Sequence, residues 1–243
     1  MASGKFHGLK HMQRRTVLSS AWGAWVGMGT LSLFSAPSRA AAFSQLDATT
    51  AVRTALDRGA DIAVQQLGQQ GGFLNNDKVR IQLPDVLQKA TPLLRAMGKG
   101  HDLDELVTGM NHAAESAVPL ALPLLKSAIK GMSVEDATKI VSGGDHSVTD
   151  FFAGKTRQPL TEQFLPVVTK SIGKSPLVKQ YNSLVGKAGS TGLVKSEQST
   201  VQQYVTAKAL DGLYFIIGEE ERRIRRDPVG TGSAILKKVF SGL

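Results

Sequence analysis

The fold is decided by residues 199–227, STVQQYVTAKALDGLYFIIGEEERRIRRD. Val201, Val205, Ala209, Gly212, Leu213, Ile216 and Ile224 follow one another mostly at steps of three or four, the period of a helix with one buried face. Tyr204, Leu210, Tyr214, Phe215 and Ile217 widen the apolar surface beyond one stripe, so the middle of this helix is expected to be covered on most sides. Pro228 ends it, because proline disfavours helical geometry in the residue before it. Gly212 and Gly218 each cost about 1 kcal/mol against alanine inside a helix. Close approach of another helix is the expected reason for both.

Two charges interrupt the apolar part. Lys208 and Asp211 are three apart and are able to face each other along the helix. Two readings stand: a polar site in a helical core, where each charge needs a partner, or a structural ion pair on an exposed strip. On the first reading Lys208, Asp211 and Tyr204 contact a ligand held between helices. Beyond Ile217, Glu219 precedes Arg222 and Arg223, and Glu221 precedes Arg225, in the favourable acid-before-base order. Adjacent carboxylates point in different directions around a helix, so a solvated, self-paired face is expected there and not a metal site. Glu219, Glu220, Arg222 and Arg223 make it a candidate interaction surface.

Outward from this run, the chain reads as shorter helices. Val52, Leu56, Ala63 and Leu67 lie along one side of a helix expected to start at Asp47 and close at Gly68. At residues 71–83 the pattern changes: Gly71-Gly72 breaks regular structure, then Val79, Ile81 and Leu83 alternate with Arg80 and Gln82. A short extended segment near 79–83, tucked against helices, is expected. Asn75, Asn76, Asp77 and Arg80 sit in this loop, either as site residues or in a turn held by Asx hydrogen bonds. Asn75 and Arg80 are added to the candidate ligand contacts.

Pro84 opens the next helix, with a restart expected at Thr91-Pro92, followed by one carrying Leu103, Leu106, Met110, Ala113, Ala114 and Ala117. Pro119 and Pro123 predict a break. Ser133 and Asp136 have capping-box spacing, and Gly143-Gly144 ends that short helix. Helices are then expected at 147–153, 159–172 and 176–188, a polar loop to 199, and a final short helix at 233–240. The fold class is all-α: a single-domain multi-helix bundle around the long C-terminal helix.

Several segments together resemble one bacterial family, the domain of unknown function 4197. They are VTAKALDGLYFIIGEEERRIRRDP at 205–228, LKKVF at 236–240, GGFLNNDKVRIQLP at 71–84, MNHAAE at 110–115 and FLP at 164–166. The resemblance implies a mostly helical, exported protein, and it carries over no catalytic residue.

Composition narrows the function classes. The chain has 243 residues and a formal net charge of +9. Residues 1–42 hold five cations (Lys5, Lys10, Arg14, Arg15, Arg39) and no acid; without them 24 basic residues face 20 acidic ones, a net +4. No aromatic-and-basic module accompanies that modest charge, so no nucleic-acid partner is expected. With no cysteine, disulfides, thiolate catalysis and zinc–thiolate sites are excluded. Residues 1–42 have a basic start, an apolar middle from Val17 to Ala36 and small residues at Ala40, Ala41 and Ala42, which predicts an export signal. Arg14-Arg15-Thr16-Val17-Leu18 resembles a twin-arginine address, with export machinery as the partner of residues 14–18. The general secretory route and an uncleaved membrane anchor are the alternatives. The expected domains are therefore 1–42, signal, and 43–243, one helical domain, periplasmic or otherwise exported. Both tryptophans, Trp22 and Trp25, belong to the signal.

Chemistry-bearing motifs fail their tests. Gly154-Lys155-Thr156 and Gly173-Lys174-Ser175 lack the earlier glycine of a phosphate loop. His112 and Glu115 are three apart, and one histidine with one carboxylate does not make a metal site. No serine elbow is present. Neither cofactor nor metal is expected, and an enzyme is unsupported. The expected role is a helical binding protein for a small apolar or amphipathic ligand. The rivals are a scaffold that contacts an envelope protein and an unrecognised hydrolase.

Overall fold

Steps of three and four between apolar residues produce helix along most of the described residues. The computed structural model describes residues 45–189 and 200–227. The expected signal, the loop before residue 200 and the final helix at 233–240 lie outside the described residues. Within them are α1 (Gln45–Gly68), α2 (Asp85–Ala96), α3 (Gly100–Ala117), α4 (Ala121–Lys130), α5 (Val134–Ser142), α6 (Ser147–Ile172), α7 (Pro176–Gly189) and α8 (Val201–Arg226). One 3-10 turn, Val118–Leu120, makes the break expected at Pro119. No strand occurs among the described residues, and all of these residues fall in the compact unit Ala42–Leu243. The fold is all-α, as expected.

The centre is shared by two helices. α6 and α8 each have 26 residues and are therefore about 39 Å long. They lie against each other, with α3, α4 and α5 covering α6, and α1, α3 and α7 covering α8. In α6 the buried positions are Val148, Phe152, Thr156, Leu160, Phe164, Val168 and Ile172, one every four residues. A four-residue step overshoots the 3.6-residue turn by about 40°, so the stripe winds round the helix and meets several neighbours in succession.

This stripe explains one correction. Two helices were expected on either side of Pro159, yet α6 runs unbroken through both Pro159 and Pro166. An interior proline costs about 3 kcal/mol. Burying Phe152, Leu160, Phe164, Val168 and Ile172 returns about 1.5–3 kcal/mol for each large side chain, so continuity wins. α2 likewise continues through Pro92 with no restart at Thr91, although Leu87 is its only buried residue. Helix α1 is already formed at Gln45, which puts Asp47 inside it and not at its cap.

Other local expectations hold. The Ser133–Asp136 capping box is formed, with each backbone amide bonded to the other's side chain. A second box joins Thr200 and Gln203 at the start of α8. Val201, Val205, Ala209, Leu213 and Ile216 are buried, as are Leu210, Tyr214 and Ile217 on the widened face. Tyr214 closes its polar account with Thr156 of α6 at 2.9 Å.

Candidate functional site

Between α1 and α2 the chain forms a strap, residues 69–84, made of turns followed by an extended piece. Gly71 takes φ +80°, which a side chain would resist. A side chain on Gly72 would meet the carbonyl oxygens of Gln66 and Leu67 at 2.5 and 2.6 Å, so the strap needs both glycines to fold back on α1. The alternation read from the sequence is real. Val79, Ile81 and Leu83 are buried while Arg80 and Gln82 are exposed.

Two polar residues one turn apart on α3 hold the strap down. Asn111 accepts from the Ile81 amide at 2.8 Å and donates to the Ile81 carbonyl at 2.9 Å. Glu115 accepts from the amides of Phe73 at 3.0 Å and Leu74 at 3.1 Å, and its other oxygen meets His112 at 2.8 Å. Burial pushes the Glu115 carboxyl up, but His112 and the amides of Leu74, Phe73 and Gly71 outweigh it and the net pKa is lowered. Thus His112 and Glu115 fix a loop. Among the described residues, no group of three or more His, Cys, Asp or Glu side chains is placed to hold a metal ion.

The pinned strap faces one side of α8. Tyr204, Lys208, Asp211, Gly212 and Phe215, at steps of four, three, one and three, line a groove of about 380 Å³ together with Lys78, Arg80 and Gln82. Its ends are tied: the Tyr204 hydroxyl donates to the Gln82 carbonyl at 3.1 Å, and Lys78 meets Glu219 at 2.6 Å. Gly212 sits at the closest approach. A methyl there would lie 2.7 Å from the Phe73 ring and 3.3 Å from Val79. The strap, not another helix, is what comes close at Gly212. At Gly218 a helix does approach, with Thr149 of α6 2.9 Å from where a methyl would sit.

Lys208 and Asp211 are not in the helical core. Their side chains are 44% and 50% exposed, so the exposed-strip reading holds. Asp211 is bonded more closely to Arg157 of α6, at 2.9 Å, than to Lys208 at 4.0 Å. Lys208 instead lies over the Tyr204 ring, 5.9 Å from its centre. Burial raises the Tyr204 pKa, aided by Asp85 and Tyr181; the phenol stays neutral and able to donate. Of the five expected ligand contacts, the structure gathers Tyr204, Lys208, Asp211 and Arg80. Asn75 lies in a neighbouring groove of about 820 Å³ with Gln66, Gln69, Asn76 and Asp77, beyond the Lys78–Glu219 bridge. Lys78 and Gln82 complete the first groove without having been singled out, and Phe215, expected on the covered surface of α8, is exposed there instead, because the strap leaves that part of the helix open.

The charged end of α8 departs from expectation. Glu220 and Glu221 are buried, at 9% and 4% exposure, and do not form a solvated face. Glu221 accepts from the Val148 amide at 3.2 Å and from Ser147 at 3.0 Å, capping α6, and is paired with Arg225 at 2.8 Å. Arg225 also donates to the Ile140 carbonyl at 2.7 Å, tying the end of α5 to the same point. Self-pairing does hold, with one exchange of partner. Glu219 pairs with Arg222, but Arg223 goes to Glu220. Bonds from Lys78 and then Arg222 pull Glu219 from 4.5 down to about 2. Of the proposed interaction surface, only Arg223 is more than half exposed.

An all-α protein with a strap-and-helix groove is thus the class that fold and site define. The chain belongs to the family described as Protein of unknown function (DUF4197), which matches residues 42–241. No curated protein and no solved structure matches it.

Proposed function

We propose that this is a non-catalytic binding protein of the bacterial envelope, exported through residues 14–18, whose strap–α8 groove holds a small amphipathic ligand. The observation that carries the reading is that two aromatic side chains, Tyr204 and Phe215, line one groove together with Lys78, Arg80 and Lys208. Such a mixture of apolar surface with a few fixed polar groups is what small-molecule sites use. Preorganisation supports it further: the strap is pinned by Asn111 and Glu115, so binding would not have to order it. The site lies at the surface and not between core helices. The apolar void beside Val52, Leu56, Phe152 and Ile217 measures about 30 Å³, room for about one water. Asp211 is the one carboxylate among the groove's lining residues and is held by Arg157, which gives a hydrolase no acid–base pair there.

One observation favours the scaffold reading as the second choice. Val86 and Leu93 of α2 and its C-cap residue Met97, at steps of seven and four, are 58%, 65% and 67% exposed. An unpartnered apolar stripe of that kind suits a protein contact.

Native mass spectrometry of protein purified from the envelope without detergent separates the two. A reproducible added mass, absent from the Phe215→Asp variant, supports ligand binding. A bare chain in the wild type would remove the ligand reading and leave the α2 stripe as the surface to test.

A further inference from the structure

We infer that the ligand's polar end is an anion, a carboxylate or a phosphate, and that Arg80 and Lys208 are the residues that hold it. The inference rests on the strap–α8 groove being the ligand site.

It follows from which charges around the groove are already satisfied. Three cations, Lys78, Arg80 and Lys208, line it against one carboxylate, Asp211. Lys78 is committed to Glu219 at 2.6 Å, and Asp211 to Arg157 at 2.9 Å. Lys208 keeps only the outer reach of Asp211, at 4.0 Å. The Arg80 guanidinium has no hydrogen-bond or ion-pair partner among the described residues. Arg80 is therefore left without an anion on one wall, and Lys208 on the other is met only by a carboxylate that Arg157 holds more closely.

Unpaired surface cations are usually just solvated, so the surroundings decide. Arg80 does not sit on a free loop. Its neighbour Ile81 is clamped through both backbone groups by Asn111, and Gln82 is held by Tyr204. Lys208 projects from the third turn of α8 and lies over the Tyr204 ring. Both cations are thus presented from fixed backbone, which lowers the entropy lost when a ligand is bound. Phe215, a bulky apolar side chain 39% exposed, shares the groove with them. A molecule with a negative head and an apolar body satisfies both features together. A neutral apolar molecule would leave the cations unused, and an amine would be repelled.

The test titrates the full protein with decanoate, decyl phosphate, decanol, decylamine and inorganic phosphate, each below any micelle concentration, with affinities read by calorimetry. Decanoate and decyl phosphate are expected to bind at least tenfold more tightly than decanol, with decylamine weakest. Arg80→Gln and Lys208→Gln are each expected to weaken decanoate about tenfold while leaving decanol unchanged. Both positions are exposed, and an unchanged melting curve shows that the variants are folded. Equal affinity for decanol and decanoate, both lost in Phe215→Ser, would overturn the anion assignment and leave the groove reading intact. Inorganic phosphate binding as tightly as decyl phosphate would keep the anion and overturn the amphipathic ligand. Binding of none of the five would overturn both.

Discussion

Asn111 of α3 clasps the backbone of Ile81 as a neighbouring strand would, accepting from its amide at 2.8 Å and donating to its carbonyl at 2.9 Å. Asn111 is completely buried, and its amide nitrogen also donates to the Val107 carbonyl at 2.8 Å. A single side chain thus supplies what a sheet would otherwise give the extended part of the strap. Asn111→Leu leaves both Ile81 backbone groups buried without partners, a loss of about 2–4 kcal/mol. Chemical denaturation is expected to show that loss, and the groove is expected to lose ligand even where the variant remains folded.

Acid acts on the strap through Glu115 and Glu219. Both carboxyls have folded pKa values below their ordinary 4.5, Glu219 at about 2. Below pH 4.5 the unfolded chain therefore binds more protons than the folded one at these positions. Their stabilisation is present above that pH and is lost as pH falls through each folded pKa, which for Glu219 is about 2. Urea unfolding at pH 7 and at pH 3 is expected to give a smaller difference for Glu115→Gln than for the wild type. An identical difference would remove Glu115 from this account.

The buried Glu221–Arg225 pair joins three helices, because the carboxylate caps α6 while the guanidinium reaches the end of α5. Glu221→Ala deprives a guanidinium only 17% exposed of its carboxylate and uncaps Val148. The expected cost is about 3 kcal/mol. Adding Arg225→Ala to Glu221→Ala is expected to cost less than the two single losses combined, a coupling that a double-mutant cycle measures directly.

Gly212→Ala sets two effects against each other. Alanine gains about 1 kcal/mol of helix propensity. Its methyl, however, would lie 2.7 Å from the ring of Phe73, which is fully buried and has nowhere to go. Overpacking of this kind costs about 1–3 kcal/mol. A lower melting temperature, together with weaker ligand binding as the strap is pushed outward, is the expected result.

Periodicity made most of the fold legible. The stripe on α8, the alternation of Val79, Ile81 and Leu83, the 3-10 break at Pro119 and the Ser133–Asp136 box all follow from local rules that act within one turn. Two local expectations were overridden by burial. Pro159 would end an isolated helix, but the four-residue apolar stripe carries α6 through it. Glu220 and Glu221 read as surface charge because their partners on α8 were visible, whereas Val148 and Ser147 are more than 70 residues away in sequence. For the groove, Tyr204, Lys208, Asp211 and Arg80 were legible as polar interruptions of apolar patterns. Asn111, which positions the strap, was not singled out, and Glu115 was weighed only with His112 as a metal pair. Their signal was present: two polar residues four apart among Met110, Ala113, Ala114 and Ala117, on a face that otherwise belongs to the core.

The measurement that goes most directly to the account is a two-dimensional amide NMR titration with decanoate. Shifts confined to residues 78–82 and 204–215, saturating together, are the predicted result. Saturating shifts on α2 around Val86, Leu93 and Met97, with the strap and Phe215 unmoved, would contradict the groove and transfer binding to the exposed apolar stripe.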